Sequence, residues 1–175
     1  MKSIVLSTGR MNPPTKGHLK LIETMKAVSR ERGITETLLC LTKTTDNERN
    51  PLTYTEKVNL LKHTGIKFAE DSNLFKTVER LVKNEDYKTI TLVIGSDRLP
   101  MVESVRKYAL EWGAEFVDIV TLGREVEDEI SKISATLVRK AVKENDYESY
   151  KKMIGVKADD VEPLWNLLRE RLDNA

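Results

Sequence analysis

Residues 7–18 read Ser-Thr-Gly-Arg-Met-Asn-Pro-Pro-Thr-Lys-Gly-His, and their flanks decide the fold class. Before them, Ile4-Val5-Leu6 is a short apolar run of the kind that forms a buried strand. After them, Leu21, Ile22, Met25 and Val28 recur at helical spacing and mark the stripe of an amphipathic helix. The stretch is therefore a strand-to-helix turn at the start of an α/β chain. In a parallel sheet such turns open at the carboxyl ends of the strands, where helix N-termini direct unpaired N–H groups at bound anions. The residue types suit phosphate. Gly9 and Gly17 let a backbone come close to a ligand, Thr15 and His18 carry short donors, and Arg10 adds a fixed cation.

Outward from this turn the alternation repeats. Strands are expected at residues 37–42, 66–68, 89–94 and 115–122, with helical patterns between them. Thr53-x-x-Glu56 has the spacing of a capping box and predicts a helix running to about His63. The polar residues 43–52, closing on Asn50-Pro51, read as a loop at the same sheet edge as the first turn, and Gly95-Ser96-Asp97-Arg98 as a second strand-end loop. Pro100 suits a first helical position, ahead of a stripe of Val102, Val105, Ala109 and Trp112. The rhythm predicts a Rossmann-like, doubly wound parallel sheet of about five strands. Residues 1–175 read as one domain with a helical C-terminal extension from about residue 146. On the last helix Leu164, Trp165 and Leu168 form a stripe that could pack on the domain or on a second copy, so a homo-oligomer is left open.

Composition narrows the function classes. The 29 Lys and Arg residues nearly cancel the 28 Asp and Glu residues. That balance argues against general nucleic-acid binding or attachment to an anionic membrane; any basic site has to be local. No apolar run is long enough to span a bilayer and no signal segment opens the chain, so a soluble, cytoplasmic protein is expected. The lone Cys40 lies in the apolar run Leu38-Leu39-Cys40-Leu41 and reads as a core residue. His63 and the acidic residues 125–129 read as solvated surface. There is no Gly-x-x-x-x-Gly-Lys-Ser/Thr loop and no Gly-x-Gly-x-x-Gly turn after the first strand, which removes the P-loop and dehydrogenase readings.

Thr15-x-Gly17-His18 and, much later, Ile133-Ser134-x-Thr136-x-x-Arg139 resemble the paired signatures of the (His/Thr)-x-Gly-His nucleotidyltransferase superfamily, in the family's order. Ile94-Gly95-Ser96-Asp97 looks like the Gly-x-Asp loop of nicotinamide mononucleotide adenylyltransferases. Asn50-Pro51-Leu52-Thr53-x-x-Glu56-Lys57 is similar to the Asn-Pro-Phe-Thr-x-x-Glu-Arg segment of their archaeal-type branch, and the form of the first motif looks like versions carried by bacteriophages.

The resemblance implies transfer of a nucleotidyl group from a nucleoside triphosphate to a small phosphorylated acceptor, with release of pyrophosphate. The leading pair is ATP and nicotinamide mononucleotide. A cytidylyltransferase, a pantetheine-phosphate adenylyltransferase and a non-catalytic nucleotide-binding or assembly protein are the alternatives. It further implies His18, Thr15 and Arg139 as catalytic residues, and Gly9, Arg10, Asn12, Gly17, Gly95, Asp97, Ser134 and Thr136 around the nucleotide. Lys43 and Arg98 are candidates for the acceptor phosphate, with a solvent-facing Lys43 an equal reading. Magnesium (Mg2+) is expected to bridge phosphate oxygens, with water filling most of its shell and no dedicated protein cage. Taken singly, Ser134 and Thr136 could be plain helix caps and Arg139 an exposed helix residue; the conjunction of four motifs carries the reading.

Overall fold

Apolar runs bounded by turn residues become the strands of a five-stranded sheet: β1 (Lys2–Gly9), β2 (Glu36–Leu41), β3 (Lys67–Phe68), β4 (Tyr87–Gly95) and β5 (Phe116–Leu122). The computed structural model describes residues 1–71, 73–95, 98–122, 130 and 133–173, and the chain divides into two compact units. The sheet belongs to the first unit, made of Met1–Gly9, Leu21–Thr42 and Ile66–Val126. All its pairings are parallel, in the order β3-β2-β1-β4-β5. This is the Rossmann-like α/β architecture that the alternation predicts.

Both faces of the sheet are covered, which is why its central strands read as continuous apolar runs. On β1 and β4, Ile4, Leu6, Ile90, Leu92 and Ile94 pack on one face against α3 (Leu74–Asn84) and α4 (Leu99–Trp112). The intervening Thr91 points the other way. It accepts a hydrogen bond at 3.5 Å from Arg32, the last residue of α1 (Lys16–Arg32), and Arg32 also pairs with Asp118 of β5. α4 begins at Leu99, one residue before the expected Pro100, which takes its second position. The strand order reverses between β1 and β4, so the switch point of this unit lies beyond their carboxyl ends, Gly9 and Gly95.

The second unit is made of Arg10–Lys20, Lys43–Gly65 and Glu127–Ala175. It holds α2 (Tyr54–Leu61), a short 3-10 turn (Lys62–Thr64), α5 (Ala135–Lys143), α6 (Tyr147–Met153) and α7 (Ala158–Asp173). The expected capping box forms: Thr53 Oγ1 accepts from Glu56 N at 3.2 Å while Thr53 N donates to Glu56 Oε1 at 2.8 Å. Leu52, Val138, Val142, Tyr150, Ile154 and Leu168 belong to the core of this unit. Leu164, Trp165 and Leu168 are buried in that core as well, with Trp165 against the rings of Tyr147 and Tyr150 at 5.1 and 5.0 Å. The stripe left open in the sequence is thus covered by the unit's own helices, each fully buried leucine contributing about 1.5–3 kcal/mol. Among the described residues no helix is long and apolar enough to cross a membrane.

Candidate active site

The turn at residues 10–18 lies in the second unit, and its end is a hydrogen-bonded box. Thr15, fully buried, precedes the first residue of α1. Its hydroxyl accepts from His18 N at 3.3 Å, and its own N–H donates to His18 Nδ1 at 2.9 Å. The arrangement is a capping box with histidine in the place of glutamate. An amide N–H can only donate, so Nδ1 has to be the ring's acceptor nitrogen. The neutral imidazole then carries its proton on Nε2, which makes Nε2 the donor of a half-buried side chain.

Residues 10–14, leading into this box, are held by three separate segments. Lys57 Nζ donates to Arg10 O at 2.7 Å, Arg139 Nη1 to Asn12 O at 2.8 Å, and Gly155 N to Pro14 O at 3.0 Å. The fully buried Asn12 side chain imitates a strand partner: its Nδ2 donates to Leu52 O at 2.9 Å and its Oδ1 accepts from Leu52 N at 2.8 Å. Between Arg10 and Asn12, Met11 sits at φ +47°, the left-handed region, and is buried. The Asn12–Pro13 peptide is cis.

Two glycines permit the close packing around the turn. A Cβ on Gly17 would stand 3.2 Å from the carbonyl oxygens of Ile130 and Ile133, so the space beside it is taken by this chain. A Cβ on Gly155 would overlap the Thr15 carbonyl and stand 2.8 Å from Lys16 N. Gly155 is the more demanding of the two, because backbone cannot swing aside as a flexible side chain can.

The electrostatics of the turn centre on Arg139. Arg139, half-buried, also donates from Nη2 to Thr136 Oγ1 at 3.2 Å. Burial, and then the like charges of Arg10 and Arg49, push its guanidinium pKa below the ordinary value, while Asp46 pushes it back. Asp46 is itself held: its carboxylate accepts from the Asn50 side chain at 2.9 Å and from the backbone N–H groups of Glu48, Arg49 and Asn50. Those bonds, the Asn50 side chain first, keep its carboxyl well below the usual range. The Arg139 guanidinium thus lies in the field of two like charges, Arg10 and Arg49, and of one opposite charge, Asp46.

The remaining candidates fall as follows. Ser134 caps α5, its side chain accepting from Leu137 N at 3.2 Å, and with Thr136 it is exposed. The exposed Lys43 lies in the second unit with its ammonium 4.9 Å from the centre of the Tyr54 ring. Gly9, Gly95 and Arg98 belong to the first unit, Gly9 and Gly95 at the ends of β1 and β4 and Arg98 at the cap of α4. Asp97, with Ser96 and the acidic residues 125–129, lies outside the described residues. Sequence reasoning singled out neither Arg49 nor Gly155, and quoted Lys57 only as part of a motif. A signal for Lys57 existed: it stands one helical turn before Leu61 and shares its buried face.

Residues 6–141 match the family model described as Cytidylyltransferase-like, and the chain belongs to that family. It is thereby a member of the nucleotidyltransferase superfamily. No curated protein matches it in sequence. Among solved structures, the nicotinic acid mononucleotide adenylyltransferase of Plasmodium falciparum complexed with NaAD is similar at TM-score 0.67 and 16% identity, over 96% of this chain and 98% of that one. The same enzyme complexed with APC is similar at TM-score 0.66 and 16% identity, over the same shares of both chains. At these identities the likeness is one of fold.

Proposed function

We propose that the protein is an adenylyltransferase that joins ATP to a pyridine mononucleotide, with nicotinamide mononucleotide as the leading acceptor and NAD and pyrophosphate as products. The observation that carries the reading is Arg139, bonded to Asn12 O in the turn that leads into the Thr15–His18 box and acted on by the like charges of Arg10 and Arg49. An arginine among like charges near a helix N-terminus suits a polyanion such as a triphosphate.

The chemistry asks little more of the protein. An oxygen of the acceptor phosphate attacks the α-phosphorus of ATP, a new P–O bond forms, and the bond to the bridging oxygen of the β-phosphate breaks to release pyrophosphate. The attacking phosphate is already ionised near neutral pH, so catalysis reduces to alignment and to stabilising charge on the transferring group. His18 Nε2–H is the donor for the α-phosphate oxygens, and Thr15 acts by fixing the ring. Arg139, with Arg10 and Arg49, holds the triphosphate, Ser134 and Thr136 flanking it at the start of α5. Magnesium would come with the triphosphate and supply charge neutralisation there. Among the described residues no group of three or more His, Cys, Asp and Glu side chains is placed to hold a metal ion.

Nicotinic acid mononucleotide is the second reading, favoured by the structural likeness to the Plasmodium falciparum enzyme; the Asn50-Pro51-Leu52-Thr53 segment favours nicotinamide. The test is pyrophosphate release with magnesium, crossing ATP and CTP against both pyridine mononucleotides, phosphopantetheine and glycerol phosphate. Release with ATP and a pyridine mononucleotide alone supports the proposal. Release that requires CTP, or another acceptor, replaces it.

A further inference from the structure

We infer that Lys57 is a positioning residue for the active-site turn: its buried ammonium fixes the Arg10–Met11 peptide and through it the placement of Arg10 and of the Thr15–His18 box. The inference rests on the adenylyltransferase reading only for its kinetic consequence.

Lys57 is a fully buried lysine, which is rare unless the charge has work to do. Its Nζ lies 2.7 Å from Arg10 O. The plane of that peptide helps define φ of Met11, and Met11 is a buried, non-glycine residue at φ +47°. Such a conformation persists only where the surroundings over-determine it. A charge-assisted hydrogen bond on the carbonyl just before it is a restraint of the required strength. Arg139 on Asn12 O and Gly155 N on Pro14 O complete the set, so alternate carbonyls of the turn are held from three segments of the chain. Of these, Arg139 already belongs to the nucleotide site and Gly155 acts through its backbone. Lys57 is the side chain whose contribution is made through the turn.

The test compares wild type with Lys57→Met, which keeps the stem and loses the donor, and Lys57→Arg, which keeps charge and donors. The first readout is nuclear magnetic resonance of the Thr15 amide and the His18 ring nitrogens, which needs no turnover. The second is kcat beside the dissociation constant for ATP. Lys57→Met is expected to shift the Thr15 and His18 signals and to lower kcat roughly tenfold to hundredfold, with ATP affinity changed less; Lys57→Arg restores both. A double-mutant cycle with Met11→Gly adds an independent arm. Glycine adopts the left-handed conformation without cost, so the Lys57→Met effect should shrink in that background. Lys57→Leu, which also lacks a donor, replaces Lys57→Met with the same expectations should the latter not fold. Unchanged Thr15 and His18 signals in the neutral variant, or an equal effect in both Met11 backgrounds, overturn the inference. If wild type releases pyrophosphate with no substrate pair, the adenylyltransferase reading fails while the resonance data still decide the role of Lys57.

Discussion

Thr15 and His18 hold each other through both of their backbone amides: each N–H donates to the other's side chain, at 2.9 Å onto Nδ1 and 3.3 Å onto Oγ1. The pair therefore does two jobs with one geometry, ending the turn as a helix cap and fixing which ring nitrogen carries the proton. His18→Ala is expected to lower kcat on the order of a hundredfold or more while leaving ATP affinity nearly unchanged, because a donor to developing charge matters most in the transition state. Thr15→Ala keeps the imidazole but loses the cap, and should cost about 1 kcal/mol of stability together with a smaller loss of kcat. Steady-state kinetics with equilibrium ATP binding checks both. Equal turnover in His18→Ala and wild type would remove the histidine from the chemistry.

Arg139 is bound at two points, Asn12 O and Thr136 Oγ1, and stands among like charges. Arg139→Ala should weaken ATP binding roughly tenfold to hundredfold, the usual scale for a charge-assisted hydrogen bond lost. Arg139→Lys keeps the charge but cannot serve both partners in a fixed fork, and should recover only part of the affinity. Calorimetric titration of ATP separates the two variants. An unchanged dissociation constant in Arg139→Ala would place the triphosphate elsewhere.

What was legible in the sequence was whatever periodicity or local chemistry sets. The strands, the capping box at Thr53 and the helix stripes follow from spacing alone, and of the described motif residues Gly95 ends β4, Thr15 precedes α1 and Ser134 caps α5. What was not legible depends on contacts between distant segments. Asn12 is defined by Leu52, forty residues away, and Pro14 by Gly155. The backbone at Arg49 is placed by the Asp46 loop, which folds back on itself. The α7 stripe could not be assigned to core or partner from its pattern, since burial within a unit and burial against a second copy leave the same spacing. Gly17 reads as a backbone that can come close to a ligand, and the Ile130 and Ile133 carbonyls stand 3.2 Å from where its Cβ would be; a glycine signals close approach without naming what approaches.

α7 is tied to the segment that receives Asn12. Arg171 donates to Glu56 Oε2 at 2.8 Å and to Pro51 O at 2.7 Å. The Arg171 side chain first, and then the Thr53 bonds, hold the Glu56 carboxyl below its ordinary range against the opposing effect of burial. A depressed carboxylate contributes stability that is present above its unfolded value near 4.5 and is lost as pH falls through the folded one. Both side chains are partly exposed, so Arg171→Met should cost only about 1–2 kcal/mol at pH 7. Urea unfolding of the two proteins at pH 7 and pH 3 reads the difference, which should shrink at the lower pH. A difference independent of pH would assign the loss to packing of the arginine stem.

Burial pushes the Lys57 ammonium from its ordinary 10.5 down to about 8, and this gives the turn two pH dependences of opposite sign. For stability, the unfolded chain keeps its proton between those values while the folded chain has released it. Folding is therefore favoured by rising pH in that window, by on the order of 3 kcal/mol at most. For turnover, a charged donor on Arg10 O becomes a weaker neutral one across the same window, so kcat should fall as pH rises through about 8. Lys57→Arg stays charged throughout and should abolish the fall. Turnover and thermal unfolding measured between pH 7 and pH 10 distinguish this from general alkaline inactivation, in which activity and stability decline together. A wild-type profile that stays level through pH 8, or the same decline in Lys57→Arg, would show that the charge on Lys57 does not govern the turn.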